Sequence, residues 1–190
     1  MQSCLYDEKT FENNDFSDKQ MCDLEFSDCR FINCNFTNTN LRTTDFVDCQ
    51  FTGCNFSNAN TDNTGFKNNV FTGCKMMGLN FGAASNFLFA VTFINCILDL
   101  STFFKKKMKK TRFESCSLKE VDFEEADLGQ SVFNNCDLLN ASFVKTNLEK
   151  ADFRTAYNYN LDPEANKIKK ARFSAQGVVG LLSKYDIVID

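Results

Sequence analysis

Histidine and tryptophan are absent from the 190-residue chain, and proline occurs once, at Pro163. Without histidine, the side chain that most often titrates near neutral pH and ligates metals is missing. The sequence also lacks a Gly-rich phosphate loop, a G-x-S-x-G elbow and metal-ligand spacing. Its paired acids, such as Glu124 and Glu125, are neighbours on a solvated corner. These absences argue against an enzyme, and no metal or cofactor is expected. No apolar run reaches about eighteen residues and no charged-then-apolar leader opens the chain, so neither a membrane span nor a signal peptide is indicated. The expectation is a soluble cytoplasmic protein of one domain. The near absence of proline fits a chain whose backbone is continuously paired.

What the chain has instead is phenylalanine, 22 residues of it, in register. Phe11, Phe31, Phe51 and Phe71 fall twenty residues apart. After a slip of two, Phe93, Phe113, Phe133, Phe153 and Phe173 continue the series. Apolar residues also mark the fifths between, as in Phe26, Phe31, Phe36, Leu41, Phe46, Phe51, Phe56. A fixed period means that each unit buries its apolar face by stacking on its neighbours. Neither a helix of period 3.6 nor a strand of period 2 gives five. A short edge followed by a corner does. A small residue lies two before each large one, as Cys34 before Phe36 and Ala126 before Leu128, and residues two apart on a strand share a side. The corner absorbs the other three positions. Four edges then close a square coil of twenty residues, with coils about 4.8 Å apart. Asn and Asp, frequent just before the large residue, suit corners that need local side-chain bonding.

The segments ADLGQ (126–130), TNLEK (146–150), ADFRT (151–155), CNFTN (34–38) and CDLLN (136–140) resemble the pentapeptide-repeat family, over roughly residues 4–173. The resemblance implies an all-β right-handed quadrilateral β-helix. The eight intervals from Phe11 to Phe173 predict about eight coils over residues 1–173, a rod of roughly 40 Å. Its core column is Phe31, Phe51, Phe71, Phe93, Phe113, Phe133 and Phe153. Residues 174–190 are expected to cap or dimerise the rod. Ser174 could cap a helix over 175–182, and 185–189 reads as a strand. Many family members dimerise through such a tail, which implies a homodimer contact at Leu181, Leu182, Tyr185, Ile187, Val188 and Ile189.

Ten cysteines raise the question of disulfides or zinc. Nine occupy the small inward position, and only Cys22 faces outward. Parallel neighbours at about 4.8 Å lie beyond the Cβ separation of roughly 3.5–4.5 Å that a disulfide takes. Parallel columns also give no tetrahedral convergence for zinc. Buried free thiols are expected.

Three segments break the pattern. In 82–92, Phe81 to Leu88 is seven residues rather than five. The reading is a two-residue bulge that carries Phe87 or Phe89 outward, or one of these rings capping a corner. In FFKKKMKKTR (103–112), Lys106 falls where a small inward residue belongs. Either the edge opens there or the lysine snorkels to solvent. Lys105, Lys107, Lys109 and Lys110 make a basic patch around it. Residues 157–170 read as a loop on the last coil.

Charge is uneven. Residues 1–104 carry 6 Lys/Arg against 12 Asp/Glu, net −6, and residues 105–190 carry 15 against 13, net +2. The acidic half opposes direct nucleic-acid binding. Within the family, the Phe columns, the cysteines and the tail are most similar to the Qnr-type fluoroquinolone-resistance branch. That likeness implies a DNA-mimic-like protector of type II topoisomerase, with gyrase or topoisomerase IV as partner. The other reading is a scaffold for an unknown protein partner. Phe87, Phe89, Lys105, Lys107, Lys109 and Lys110 are the candidate partner contacts.

Overall fold

In the computed structural model, which describes residues 4–185, 187 and 188, short parallel strands stack into a four-sided solenoid. We number its sides by the inward residues of the first coil: Tyr6 on face 1, Phe11 on face 2, Phe16 on face 3 and Met21 on face 4. Face 2 is a seven-stranded sheet running from Thr10–Glu12 to Val132–Asn134. Face 1 begins as a four-stranded sheet of Cys4–Asp7, Leu24–Ser27, Asp45–Val47 and Gly65–Lys67. Isolated bridges such as Asn35↔Asn55 and Asp122↔Ser142 hold faces 3 and 4.

The register is the one the spacing demands. Phe11 pairs with Phe31, Phe31 with Phe51, and Phe51 with Phe71. Phe71 then pairs with Phe93 across the slip, and Phe113 and Phe133 follow. Seven strands make six steps, and bridges Val132↔Asp152 and Asp152↔Arg172 add two, giving the expected eight. The architecture is a right-handed quadrilateral β-helix, the hand that crossovers between parallel strands favour.

The corners explain the period of five. The residue two after most of the large ones sits at positive φ, from Glu8 at 50° to Lys170 at 60°. At many corners the N–H one residue further on bonds back to the carbonyl of the large residue, as Thr39 N to Phe36 O (3.1 Å) and Ala126 N to Phe123 O (3.1 Å). A positive φ at the third residue of such a turn is the type II signature. Asx residues just before the large one accept the N–H two residues later: Asn35 Oδ1 from Thr37 N at 3.1 Å, Asp122 Oδ1 from Glu124 N at 2.8 Å. That side-chain bond satisfies a backbone donor that the corner takes out of the ladder.

Inside, rings stack along columns and meet edge-to-face between columns. Phe31 and Phe51 lie 4.8 Å apart at 7°, while Phe31 and Phe36 meet at 5.6 Å and 66°. All seven predicted column residues, Phe31 to Phe153, are fully buried. Each such ring contributes about 1.5–3 kcal/mol by burial. The polar centre Thr61 is also buried, its hydroxyl donating to Asn80 O at 2.6 Å.

The tail departs from expectation. No α-helix covers 175–182, and Tyr185, Ile187 and Val188 form no strand. Two 3-10 helices, Gly177–Leu181 and Ser183–Tyr185, lie over the last coil instead. Ser174 does receive the predicted bond, from Gly177 N at 2.9 Å. Glycine decides the geometry: a Cβ on Gly180 would stand 2.2 Å from the Tyr159 carbonyl oxygen, and one on Gly177 2.1 Å from the Tyr159 hydroxyl. The tail therefore presses on Tyr159, itself buried against Phe153 and Phe173. Leu161 N donates to Gly180 O (2.9 Å), and Lys184 pairs with Asp162 (2.8 Å) and Glu164 (2.6 Å).

Candidate protein-interaction site

The slip lies within residues 86–89. Ser85 N–H still bonds Thr64 O as a twenty-residue coil requires, after a 3-10 turn over Phe81–Ala83 that moves the Asn63 N–H bond to Ala83 O. By Asn69↔Val91 the register has advanced to twenty-two. The inward seat on face 1 goes to Phe89, not to Leu88. Leu88 takes positive φ (54°) and is 65% exposed, Phe87 is 68% exposed, and Phe89 is 9% exposed. Phe89 as an outward partner contact is thus corrected, because two extra residues turn only 87 and 88 away from the axis. The stacking on face 1 is broken there: Phe89 meets Phe66 edge-on at 6.4 Å. On face 4, Phe81 and Phe103 still stack at 4.6 Å and 4°.

Lys106 is the counterpart of that break in register. It neither opens the edge nor snorkels. Its side chain is fully buried, and its ammonium donates to Ala84 O (2.5 Å) and Ser85 O (3.1 Å). Phe89 offers its ring face 4.4 Å away. No carboxylate pairs with it among the described residues. In the same column Thr64 and Thr146 spend their hydroxyls on the carbonyls of Leu41 and Phe123. Lys106 instead reaches the two carbonyls at the foot of the slip, where the backbone leaves the ladder. Carbonyl dipoles and a ring quadrupole stand in for a counter-ion. Burial pulls its pKa down to about 8.

Around this foot the other predicted lysines are exposed. Lys105 lies 4.6 Å over the Phe104 ring and 3.6 Å from Glu125, and Lys109 lies 3.3 Å from Asp127. Lys107 belongs to face 1, where it bridges to Asp127, and Lys110 takes the corner beyond at positive φ. Phe87 sits on the same face, under Lys67 at 5.5 Å. The structure thus brings Phe87, Leu88, Lys107, Lys109 and Lys110 onto one side of the rod and keeps Phe89 and Lys106 beneath them. In sequence, the signal at Lys106 is a cation at an inward position. Its destination depends on which carbonyls the slip frees.

The predicted dimer residues divide. Leu181 packs against the core, Leu182 is half-buried, and the Tyr185 hydroxyl donates to Glu164 at 3.0 Å. Ile187 and Val188 are exposed, as are Val178 and Val179, and Ile189 lies outside the described residues.

Eight cysteines are buried and free, and Cys22 is half-buried and free. The side chain of Cys4 lies outside the description. Six of the buried thiols donate to main-chain carbonyls one coil below, as Cys54 Sγ to Phe31 O and Cys96 Sγ to Phe71 O, both 3.4 Å, while Cys116 and Cys136 donate to the carbonyls of Glu114 and Asn134. Burial pushes the Cys49 thiol up to about 12 and raises Cys29 and Cys34. Among the described residues, no three His, Cys, Asp or Glu converge on a metal position, and no helix is long and apolar enough to cross a membrane.

Two family models match the sequence: "Pentapeptide repeats (8 copies)" over 25–60 and 49–85, and "Pentapeptide repeat region" over 85–156 and 106–176. Between them they cover residues 25–176. The chain belongs to the pentapeptide-repeat family. Its repeats are continuous through the slip, since the second model begins at Ser85. No curated protein matches the sequence significantly. Among solved structures, this pentapeptide-repeat rod superposes on a trypsin-treated point variant of QnrB1, described as a plasmid-mediated fluoroquinolone resistance protein. The TM-score is 0.66 at 17% identity, with 100% of each chain covered. It also matches HetL of Nostoc sp. strain PCC 7120, described as involved in heterocyst differentiation regulation. There the TM-score is 0.50 at 15% identity, over 90% of this chain and 89% of HetL. At such identities the likeness is one of fold.

Proposed function

We propose that this rod protects a type II topoisomerase, gyrase or topoisomerase IV, by lying where the enzyme holds duplex DNA. The observation that carries the reading is the acidic rod itself. Coils stacked over roughly 40 Å, about a dozen base pairs long, carry net −6 in residues 1–104. The full-length likeness of fold to a fluoroquinolone resistance protein supports it. Steering between the acidic coils and a basic DNA-binding saddle would speed encounter. Phe87 is the specific anchor, because an exposed aromatic can dominate binding energy. No reacting group takes part, and the protein acts by binding.

The test is supercoiling by gyrase under quinolone inhibition. The protein restores supercoiling, less well at high salt, and Phe87→Ala loses the effect while keeping its melting temperature. Failure of the folded protein to bind gyrase or topoisomerase IV from its own organism rejects this reading. It then favours a scaffold for another protein, a role the basic C-terminal coils support.

A further inference from the structure

Face 1 is bipolar, and its two ends complement each other. Its outward residues flank the inward column Tyr6, Phe26, Phe46, Phe66, Phe89, Met108, Leu128, Leu148 and Ile168. Coils one to three place Asp7, Glu8, Glu25, Asp28, Asp45 and Asp48 there: six carboxylates and no cation. Coils six to nine place seven lysines there (107, 109, 110, 150, 167, 169 and 170) against two acids, Asp127 and Glu149, so net 7 − 2 = +5. The whole-chain asymmetry of −6 and +2 is concentrated on this one side. In-chain ion pairs consume little of it. Lys67 takes Asp45 and Lys109 takes Asp127, while Lys107, Lys110, Lys150, Lys167, Lys169 and Lys170 have no ion pair among the described residues.

The apolar tip lies at the midpoint. Phe89 holds the fifth of nine inward seats, with four on either side, and beside it Phe87 and Leu88 stand exposed over face 1. Lys106 holds the foot of this tip from inside. A patch with an apolar centre and halves of opposite net charge, 1 − 6 = −5 over coils one to four and +5 over coils six to nine, is complementary in net charge under a twofold axis through the centre, as an isologous contact requires. Rotation sets coil one against coil nine, Asp7 and Glu8 meeting Lys167, Lys169 and Lys170. It sets coil two against coil eight, Glu25 and Asp28 meeting Lys150. Nearer the axis, coil three (Asp45, Asp48) meets Asp127 and coil four (Lys67) meets Lys107, Lys109 and Lys110. With Lys67 paired to Asp45 and Lys109 to Asp127, coils three and four carry net 1 − 2 = −1 against 3 − 1 = +2 on coils six and seven.

We propose that face 1 is the interface of an antiparallel homodimer, two rods side by side, with Phe87 and Leu88 of both copies at its centre. An apolar centre ringed by charge is the usual anatomy of such a contact. Pairing fixes orientation, since parallel rods would set like charges together. The exposed tail residues Val178, Val179, Ile187 and Val188 are the rival surface. The dimer would cover Phe87 and the acids of face 1, which the topoisomerase reading also uses, so binding a topoisomerase by that surface would require the dimer to open; Glu12, Asp15, Asp18, Asp23 and Asp62 lie outside face 1.

Sedimentation of the full chain at low salt, joined to zero-length carbodiimide crosslinking, decides the matter. Coils one and two lie roughly 30 Å from coils eight and nine along one rod. A bond between Glu25 or Asp28 and Lys150, Lys169 or Lys170 is therefore intermolecular. The expected result is a dimer carrying such bonds that dissociates as salt rises. Lys150→Glu/Lys169→Glu/Lys170→Glu should weaken dimerisation at least tenfold with melting temperature kept. Mixing it with Glu25→Lys/Asp28→Lys should restore association. Phe87→Ser/Leu88→Ser should weaken it as well. A monomer at tens of micromolar, crosslinks confined to the tail, or a charge-reversed variant that dimerises normally would each overturn the proposal. None of these outcomes depends on adding a topoisomerase.

Discussion

At the scale of the residue, an inward ring and an outward acid in adjacent coils differ only in which side of the backbone they occupy. Phe113 is fully buried and stacks on Phe93 at 5.3 Å and Phe133 at 5.0 Å. Phe113→Ala should therefore cost about 3–5 kcal/mol. Glu125→Ala, at an exposed corner, should cost less than about 0.5 kcal/mol. Thermal melts of the two variants check this, and equal midpoints would contradict the inward column. The thiols make a second residue-level prediction. Under native conditions a bulky thiol reagent should label Cys22 and leave the buried cysteines until denaturant is added. The titration of Cys49 has a definite sign. The folded pKa of Cys49 lies near 12, above its ordinary value of 9.0. The folded state thus keeps a proton that the unfolded state loses. Its contribution is whole below pH 9 and is lost as pH rises towards 12.

At the scale of the element, the slip shows two extra residues being absorbed. Phe87 and Phe89 look equivalent in sequence, and the structure separates them into an exposed tip and an inward ring. Phe87→Ala should leave the melting temperature within about a degree, whereas Phe89→Ala should lower it by several degrees, as loss of a buried ring does. Lys106 holds this element by two bonds. Its pKa is about 8 in the fold against an ordinary 10.5. Between these values the unfolded chain binds the extra proton, so this group makes stability rise with pH, opposite to Cys49. Lys106→Met removes that rise and leaves the carbonyls of Ala84 and Ser85 without their donor, a loss of roughly 1–3 kcal/mol. The wild type's advantage over Lys106→Met, read from denaturant midpoints, should grow from pH 8 to 10.5. An advantage independent of pH would place the ammonium in water.

At the scale of the whole molecule, the tail decides how the column ends. A solenoid exposes its last coil, and Tyr159 with the two 3-10 helices covers it. Gly180→Ala should lift that lid, because the added carbon meets a carbonyl oxygen rather than a movable side chain. Hydrogen exchange at the Leu161 amide, bonded to Gly180 O, should quicken markedly. Lys184→Ala breaks only surface ion pairs and should leave that exchange nearly unchanged. If the two variants exchange alike, the tail is held by charge and not by packing.

The coil, its register, the inward Phe and Cys columns and the size of the slip are all legible in the chain. They follow from local rules: a side alternates every residue, and a corner recurs every five. Those rules do not choose which of Phe87, Leu88 and Phe89 returns to the axis, since each choice satisfies the same count. Nor do they bury Lys106, because the carbonyls that receive it are freed only when the slip forms one coil away. The α-helix and strand that local pattern suggests for the tail are absent for a similar reason. Gly177 and Gly180 weaken a helix in isolation, yet in the fold they are what lets the backbone rest on Tyr159. Local periodicity is written in the chain, while contacts between a break in it and the next coil exist only in three dimensions.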